Sequence, residues 1–395
     1  MYNGPIFDCD THFYEKPDAW RYIPEKLKKD YDIRYMAGAD GDYTIYVGPT
    51  KVEHLTGYYT PDGTVPAPGK LHEWLRATKE GRHDATLRTV PTADMIDREA
   101  RLKKMDEFGV EGCITYLGNM IATLAYMEDP GPTHEVLHAY NRWVLDEWSF
   151  NYKDRIYTTP LITLADPEKG YKEAEWLVKN GARAILMPMG PFHGKSPADP
   201  AYDRLWSILN EAGVALTYHV GEASWFHGHM RMWGEIPLAP RLKQTAWIWM
   251  NAYSERPIVE TLSSLIFFNF FKRFPKIKVM SAENGSEWVP AMLTKMDKSR
   301  GIAKNGYWPC GQLPARPSEI FKENVLVVAY PEDNVKHIIE EARSSKFLVM
   351  GSDYPHAEGV ATPKAFYDEA LTDIPTEDAR AIMYDNGRRF MPLAA

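Results

Sequence analysis

Residues 7–12 read Phe-Asp-Cys-Asp-Thr-His. Asp10 and His12 are two apart, and on a strand such residues point to the same face. A carboxylate oxygen and an imidazole nitrogen on one face are half of a divalent-metal site. Taken alone the pair is a common pattern, equally well explained by a strand that ends in polar residues. His219 closes the apolar run Ala215–His219 just before Val220 and Gly221. A single histidine there also reads as a hydrogen-bonded structural residue. Asp353 lies in Gly351-Ser352-Asp353-Tyr354-Pro355-His356. The Gly-Ser step allows close backbone approach and leaves a carboxylate beyond the strand. A helix-capping role for Asp353 fits poorly, because Pro355 follows and the next helical pattern begins near Pro363. Together the four residues supply two imidazoles and two carboxylates, enough to hold one catalytic divalent ion with room for water or substrate. Zinc is the first expectation, and manganese or iron also suits mixed donors.

These residues are far apart in the chain, so the fold must bring them together. Eight β-rich runs alternate with amphipathic segments: Ile6–His12, Val110–Tyr116, Ile156–Thr163, Ala182–Met187, Val214–His219, Ile277–Glu283, Val325–Ala329 and Phe347–Gly351. Several are almost wholly apolar, as expected for strands covered on both faces. Helical patterns follow at Ala93–Gly109, Pro132–Lys153, Pro167–Asn180, Ala201–Gly213, Ser254–Phe274, Ser286–Ser299, Pro331–Ser344 and Pro363–Leu371. Eight such units predict an α/β fold, a closed (β/α)8 TIM barrel forming one domain over 1–395; an open doubly wound sheet shares the pattern. The candidate ligands then fall at strands one, five and eight, and a closed barrel makes strands one and eight neighbours. Two segments break the rhythm. Residues 13–92, after strand one, are rich in Tyr, Gly and Pro and include a hairpin-like run, DYTIYVG. Residues 221–253, after strand five, carry Trp225, Phe226, Trp233, Trp247 and Trp249. Both are expected to act as lid and pocket wall, since barrel enzymes build active sites at the C-terminal ends of strands; a dimer interface is the competing use.

Composition narrows the function class. With 395 residues, 44% hydrophobic, the chain can bury a large core. A net charge of −8 without a basic cluster argues against nucleic acid and acidic membranes as partners. The opening MYNGPIFDCD lacks a basic segment followed by an apolar run, so it does not read as a signal peptide. The apolar stretch Leu262–Phe271 is too short to span a bilayer and contains Asn269. Cys9, Cys113 and Cys310 are scattered and odd in number, which suits neither a disulfide framework nor a cysteine zinc site. A cytoplasmic enzyme is expected.

The spacing of these motifs resembles the amidohydrolase superfamily, and within it the group related to aminocarboxymuconate-semialdehyde decarboxylase. The resemblance rests on Asp10-Thr11-His12, on Tyr218-His219-Val220-Gly221, on the segment from Gly351 to His356, and on Glu283-Asn284-Gly285-Ser286-Glu287-Trp288-Val289-Pro290. It spans most of the chain apart from the first insertion. It implies a metal held by Asp10, His12, His219 and Asp353, and a homodimer, for which the aromatic Leu262–Phe271 helix would serve as interface. Two departures matter. Asp10 stands where many relatives have His, and Glu283 stands where decarboxylases of the group carry a catalytic His. Leu186-Met187-Pro188 at the end of strand four has no Lys, so a bridging carbamylated lysine is absent. One ion is therefore expected, with a second held partly by Glu283 left open.

Three readings compete. In hydrolysis, Asp353 takes a proton from a metal-activated water that attacks an ester, thioester, amide or lactone, and Glu283 orients His219 or that water. In non-oxidative decarboxylation of an aromatic or unsaturated acid, Asp353 protonates the carbon that loses its carboxyl group. The third is a barrel that only binds. Glu283 in place of His tips the expectation toward hydrolysis. Around a small-molecule substrate, His356, Trp225, His227 and Arg231 are candidate contacts, and Arg241 and Lys243 are cations that could meet an acidic group.

Overall fold

The computed structural model describes residues 2–38, 43–56, 58–82, 84–127, 129–221, 224–240 and 243–391. Eight strands form the centre: β1 (Ile6–His12), β2 (Val110–Tyr116), β3 (Ile156–Thr158), β4 (Ala184–Leu186), β5 (Ala215–His219), β6 (Val279–Ala282), β7 (Val325–Val328) and β8 (Leu348–Val349). Every residue of β1, β5, β6 and β7 is buried, as two-sided cover requires. Regular parallel ladders join β1 to β2 and β2 to β3. Others run from β4 through β5, β6 and β7 to β8.

Backbone hydrogen bonds close the two remaining seams. Between β3 and β4, Leu186 N–H donates to Pro160 and Ile162 N–H donates to Leu186, each at 2.9 Å. Between β8 and β1, Cys9 N–H reaches Met350 O at 3.1 Å, Asp353 N–H reaches Asp10 O at 2.8 Å, and His12 N–H reaches Tyr354 O at 2.8 Å. The sheet is thus the expected closed TIM barrel. β3 is shorter than its apolar run because Pro160 has no N–H to give the ladder.

The barrel helices are α1 (Arg98–Phe108), α2 (Pro130–Glu147), α3 (Pro167–Lys179), α4 (Asp203–Ala212), α5 (Arg256–Phe267), α6 (Val289–Ile302), α7 (Val335–Ala342) and α8 (Pro363–Ala370). Local chemistry sets their ends. Asp97 and Asp166 cap α1 and α3 through the N–H groups of Ala100 and Lys169. Gly213 ends α4 with φ +67°, a left-handed conformation that turns the chain into β5. The single helix expected over Ala93–Gly109 is two, since Asp97 breaks it and caps the second part. The helix expected over Ser254–Phe274 also breaks, at Asn269, where φ is +55°. Leu262, Leu265, Ile266 and Phe270 lie fully inside the core. Most apolar side chains of this segment therefore pack into the barrel, while Phe267 and Phe268 remain partly exposed. No helix among the described residues is long and apolar enough to cross a membrane.

The first insertion builds its own structure. Tyr43–Val47 is the middle strand of a three-stranded antiparallel sheet with Ile33–Ala37 and Thr50–Lys51; Asp42, at the start of the DYTIYVG run, lies outside the described residues. The insertion returns to the barrel mouth where Leu71 N–H bonds Ala357 O at 3.0 Å. The second insertion contains short helices at His227–Met232 and Ala246–Ala252 around a small core of Phe226, Met230, Ile248 and Ala252.

A side-chain clamp holds the last seam. Ser352, fully buried, donates its N–H to Asp8 Oδ1 at 2.9 Å and its hydroxyl to Asp8 Oδ2 at 2.6 Å. Asp8→Ala leaves both donors buried without an acceptor. It should cost about 1–3 kcal/mol, read as a lowered urea midpoint at unchanged slope; an unchanged midpoint would show that the clamp contributes nothing.

Candidate metal centre at the barrel mouth

β1 delivers Asp10 and His12. The β1–β2 register slips between Asp8 and Thr11, a bulge that re-aims the end of the strand. Arg101, buried on α1, donates to His12 O at 2.6 Å and to Asp94 O at 2.7 Å, fixing that end from behind. His219 ends β5. Asp353 and Glu283 follow β8 and β6, both with positive φ (+55° and +51°). For residues with a Cβ this region is sparsely populated and occurs at functional sites. Gly351 makes the approach of β8 to β1 possible, since a Cβ there would lie 2.5 Å from Asp10 Cβ and from Val328 Cγ1.

The structure brings Asp10, His12 and His219 into one cluster, and Asp353 joins it beside His12. His12 Nε2 lies 3.1 Å from His219 Nε2, 3.5 Å from Asp10 Oδ1 and 3.4 Å from Asp353 Oδ1. His219 Nε2 lies 3.6 Å from Asp10 Oδ1 and 3.1 Å from Glu283 Oε2. The Nδ1 atoms face backbone carbonyls, His12 toward Leu117 at 3.3 Å and His219 toward Val220 at 2.9 Å. With Nδ1 donating and both rings neutral, as metal binding requires, each Nε2 lone pair would turn toward the same point. That arrangement, with buried Asp10 Oδ1 and Asp353 Oδ1 lacking hydrogen-bond partners, suits a shared cation. Donor atoms about 2.1 Å from one ion lie about 3.0–3.4 Å apart, and the spacings here run from 3.1 to 3.6 Å. The donor set fits a divalent metal.

Electrostatics agree. Burial, reinforced by the neighbouring His356, lowers His12 to about 3, so it stays neutral. Burial alone would raise Asp10, but the adjacent His12 and His219 rings outweigh it and hold it at about 2. Burial also opposes protonation of His219, yet Asp10 and Glu283 prevail and raise its pKa. Burial pushes Glu283 and Asp353 well above the usual carboxylate range, helped for Glu283 by Asp353 and for Asp353 by Glu358 and Asp10. A cation would relieve this crowding.

Glu283 does not stand behind His219 as an orienting group. It faces Nε2, on the side of the facing lone pairs, while Val220 O orients the ring. Tyr330 holds Glu283 through a 2.7 Å bond to its carbonyl. His356 stacks on His12 with ring centres 4.0 Å apart and places Nδ1 3.0 Å from Asp353 Oδ1.

A cavity of about 200 Å³ opens over this cluster. His12, His219, Glu283 and His356 form its floor, with Glu358 beside them; Tyr14, Tyr58, Tyr59 and Asn119 stand on its wall. The buried carboxylate of Glu15 secures that wall. It accepts from Asn119 N–H at 3.1 Å, from Asn119 Nδ2 at 2.9 Å and from Tyr140 at 2.7 Å, while Tyr59 donates to Asn119 Oδ1 at 2.5 Å. His54, Asn119, Glu358 and the tyrosines carried no periodic or spacing signal; Asn119 alone follows an apolar strand closely enough to have been suspected. Trp225, His227 and Arg231, expected as substrate contacts, line no cavity at the mouth. The second insertion folds on its own small core, so Trp225 packs over Gly190 and Arg231 turns to solvent. Lys243 does not line the cavity either, and Arg241 lies outside the described residues.

A closed β/α barrel with a cluster of imidazoles and carboxylates at its C-terminal mouth defines a barrel enzyme. The chain belongs to the amidohydrolase family, whose profile matches residues 7–393. A sequence search of curated proteins finds no match. Among solved structures, an amidohydrolase from Mycobacterium avium subsp. paratuberculosis is similar at 26% identity and TM-score 0.82, over 100% of this chain and 99% of that one. 5-Carboxyvanillate decarboxylase from Sphingomonas paucimobilis shares the fold at 15% identity and TM-score 0.62, covering 99% of both chains. A dihydroxybenzoic acid decarboxylase from a Polaromonas species, solved with manganese and 2-nitroresorcinol, does so at 14% identity and TM-score 0.58, over 98% of this chain and 97% of that one.

Metal uptake should displace protons. His12 at about 3 has none to give near neutrality, whereas the raised pKa of His219 makes it a source. Affinity for manganese or zinc should therefore rise with pH through the His219 titration. Calorimetry at pH 6.5 in buffers of different ionisation enthalpy should register proton release; a buffer-independent heat would contradict this picture.

Proposed function

We propose that this enzyme is a metal-dependent, non-oxidative decarboxylase of small aromatic carboxylic acids, with Asp10, His12, His219 and Asp353 as metal ligands. The observation that carries the reading is the charge pattern of the cavity. Asp10, Glu283, Asp353 and Glu358 are at or beside its floor, and no Lys or Arg is among the described residues that line it. A substrate carboxylate would be repelled there unless a divalent ion stood between, so carboxylate binding and metal binding must coincide. The decarboxylases that share the fold act on hydroxylated benzoic acids, which supports the same class. The carboxylate-rich donors and the manganese of the Polaromonas enzyme favour manganese over zinc.

The bound ion would supply the positive charge that gathers the substrate's carboxylate and an adjacent hydroxyl. Asp353, 3.4 Å from His12 and 3.0 Å from His356, would carry the proton that the reaction needs. Its proton passes to the ring carbon that bears the carboxylate. The bond from that carbon to the carboxyl group then breaks, its electron pair returns to the ring, and carbon dioxide leaves. Asp353 is reprotonated through His356, which is partly exposed to the cavity at 3.0 Å. The tyrosine wall packs the ring and excludes water.

One observation favours hydrolysis as a second reading. Glu283 turns a carboxylate toward the centre, where it could accept a proton from water attacking an ester, thioester, amide or lactone. The two are separated by products. In deuterium oxide, decarboxylation of a hydroxybenzoate yields one carbon dioxide per acid consumed and one deuterium at the vacated ring carbon. Formation of an acid plus an alcohol, thiol or amine from a neutral ester or amide, without carbon dioxide, would replace this reading by hydrolysis.

Asp353→Asn should keep the circular-dichroism spectrum and lose at least about 10²-fold in kcat, the usual scale of general acid help. Wild-type turnover in this variant would remove Asp353 as proton donor. Dialysis against a chelator should abolish turnover, and added manganese should restore it.

A further inference from the structure

The mouth of the barrel holds two connected chambers. The inner one, about 200 Å³, covers the metal centre. The outer one, about 290 Å³, shares His54, Leu55, Val220, Gly221, Tyr253, Glu283 and Glu358 with it and extends to Leu71, Gln244, Trp249 and Tyr330. Both insertions build the outer chamber: Leu55 and Leu71 come from the first, and Gln244, Trp249 and Tyr253 from the second. Leu71 is anchored there by its N–H bond to Ala357 O at 3.0 Å. Gln244 is held across the chamber by Ala239 O at 3.1 Å and the Tyr253 hydroxyl at 3.3 Å. The Trp249 ring lies 5.0 Å from that of Tyr253 and is 45% exposed, so a flat apolar face remains for a ligand.

Ligand sites for drug-sized molecules run to about 300–1,000 Å³. The inner chamber alone falls below that range, whereas the two together reach it. Glu283 and Glu358 line both chambers where they meet, and no Lys or Arg is among the described residues that line either. The passage therefore repels a second anionic group on the substrate, and the apolar wall beyond it suits a neutral aromatic one.

We infer that the substrate is a two-part aromatic acid, with its carboxylated ring in the inner chamber and a neutral aryl extension in the outer chamber against Trp249 and Leu71. This rests on the proposed decarboxylase reading and specifies its substrate class.

The test compares 2-hydroxybenzoate with its 4-phenyl and 4-(4-carboxyphenyl) derivatives on the manganese-loaded, full-length enzyme. Calorimetry gives Kd, and carbon dioxide release gives kcat/KM. The phenyl compound should bind at least 10-fold tighter than 2-hydroxybenzoate, and the added carboxylate should remove that gain. Trp249→Ala, at a half-exposed position, should bring the phenyl compound to within about 3-fold of 2-hydroxybenzoate while leaving the latter's Kd and kcat/KM unchanged. Equal affinities for the three acids, or a Trp249→Ala effect of the same size on one-ring and two-ring compounds, would overturn the two-chamber assignment and leave the decarboxylase reading standing. Tight, Trp249-dependent binding of the phenyl compound without carbon dioxide from any of the acids would uphold the outer chamber and sink the chemistry. Failure of all three to bind would sink both.

Discussion

The seam between β8 and β1 is the constraint on which the site depends. β8 is a two-residue strand, too short to fix its own register. The chain solves this with three backbone bonds, from Cys9 to Met350, Asp353 to Asp10 and His12 to Tyr354, and with the double bond from Ser352 to Asp8. Each pins a candidate ligand or its neighbour. Asp353 N–H and Asp10 O are themselves partners, so the two carboxylates cannot drift apart without opening the barrel. Gly351 allows this closeness, and the bulge in β1 turns Asp10 and His12 into the mouth. Residues 343 positions apart in sequence are thereby held at bonding distance.

Closure creates an electrostatic debt at the same place. Four carboxyl groups and three imidazoles crowd around a buried mouth, and two of the imidazoles bring their Nε2 atoms to 3.1 Å from one another. Such an arrangement is unfavourable for a bare protein and favourable around a divalent ion, so folding and metal affinity are coupled. The pattern of protonation follows from burial acting differently on each group. Burial lowers the pKa of His12 and raises those of Asp353 and Glu283, while the two adjacent rings hold that of Asp10 low.

How much of this was legible follows from the range of the interactions. The barrel was readable because its strands are buried on both faces and its helices carry local stop signals, such as Gly213 after α4. Asp10, His12, His219 and Asp353 were readable because each sits at a strand end, where a barrel fixes position in space. Glu283 was legible as a departure from a pattern, but the direction of its side chain was not; that depends on a positive φ and on Tyr330, far away in sequence. Arg101 was invisible, since a buried arginine in an amphipathic helix looks like a surface one until the backbone of His12 is beside it. The insertions were legible as interruptions only. Aromatic richness suggested contact with substrate, yet Trp225 serves a local core, and Trp249, which carried no more signal, faces a chamber.

The insertions also explain how one barrel chemistry can be given a new substrate. The metal-side residues belong to strand ends and are fixed by closure. The opposite wall belongs to Tyr14, His54, Leu55, Tyr58, Tyr59 and Leu71 with Gln244, Trp249 and Tyr253, and it is fixed by different bonds: Glu15 with Asn119 and Tyr140, Leu71 with Ala357, Gln244 with Tyr253. These two sets share few atoms. A change in the wall can therefore resize the chambers without disturbing the ligands, provided that Glu15 remains paired, because an unpaired buried carboxylate would disrupt the wall and β2 together. Specificity and chemistry are separable here except at Glu283 and Glu358, which border both chambers. At those two positions a substitution made to admit a different substrate would also alter the charge around the metal.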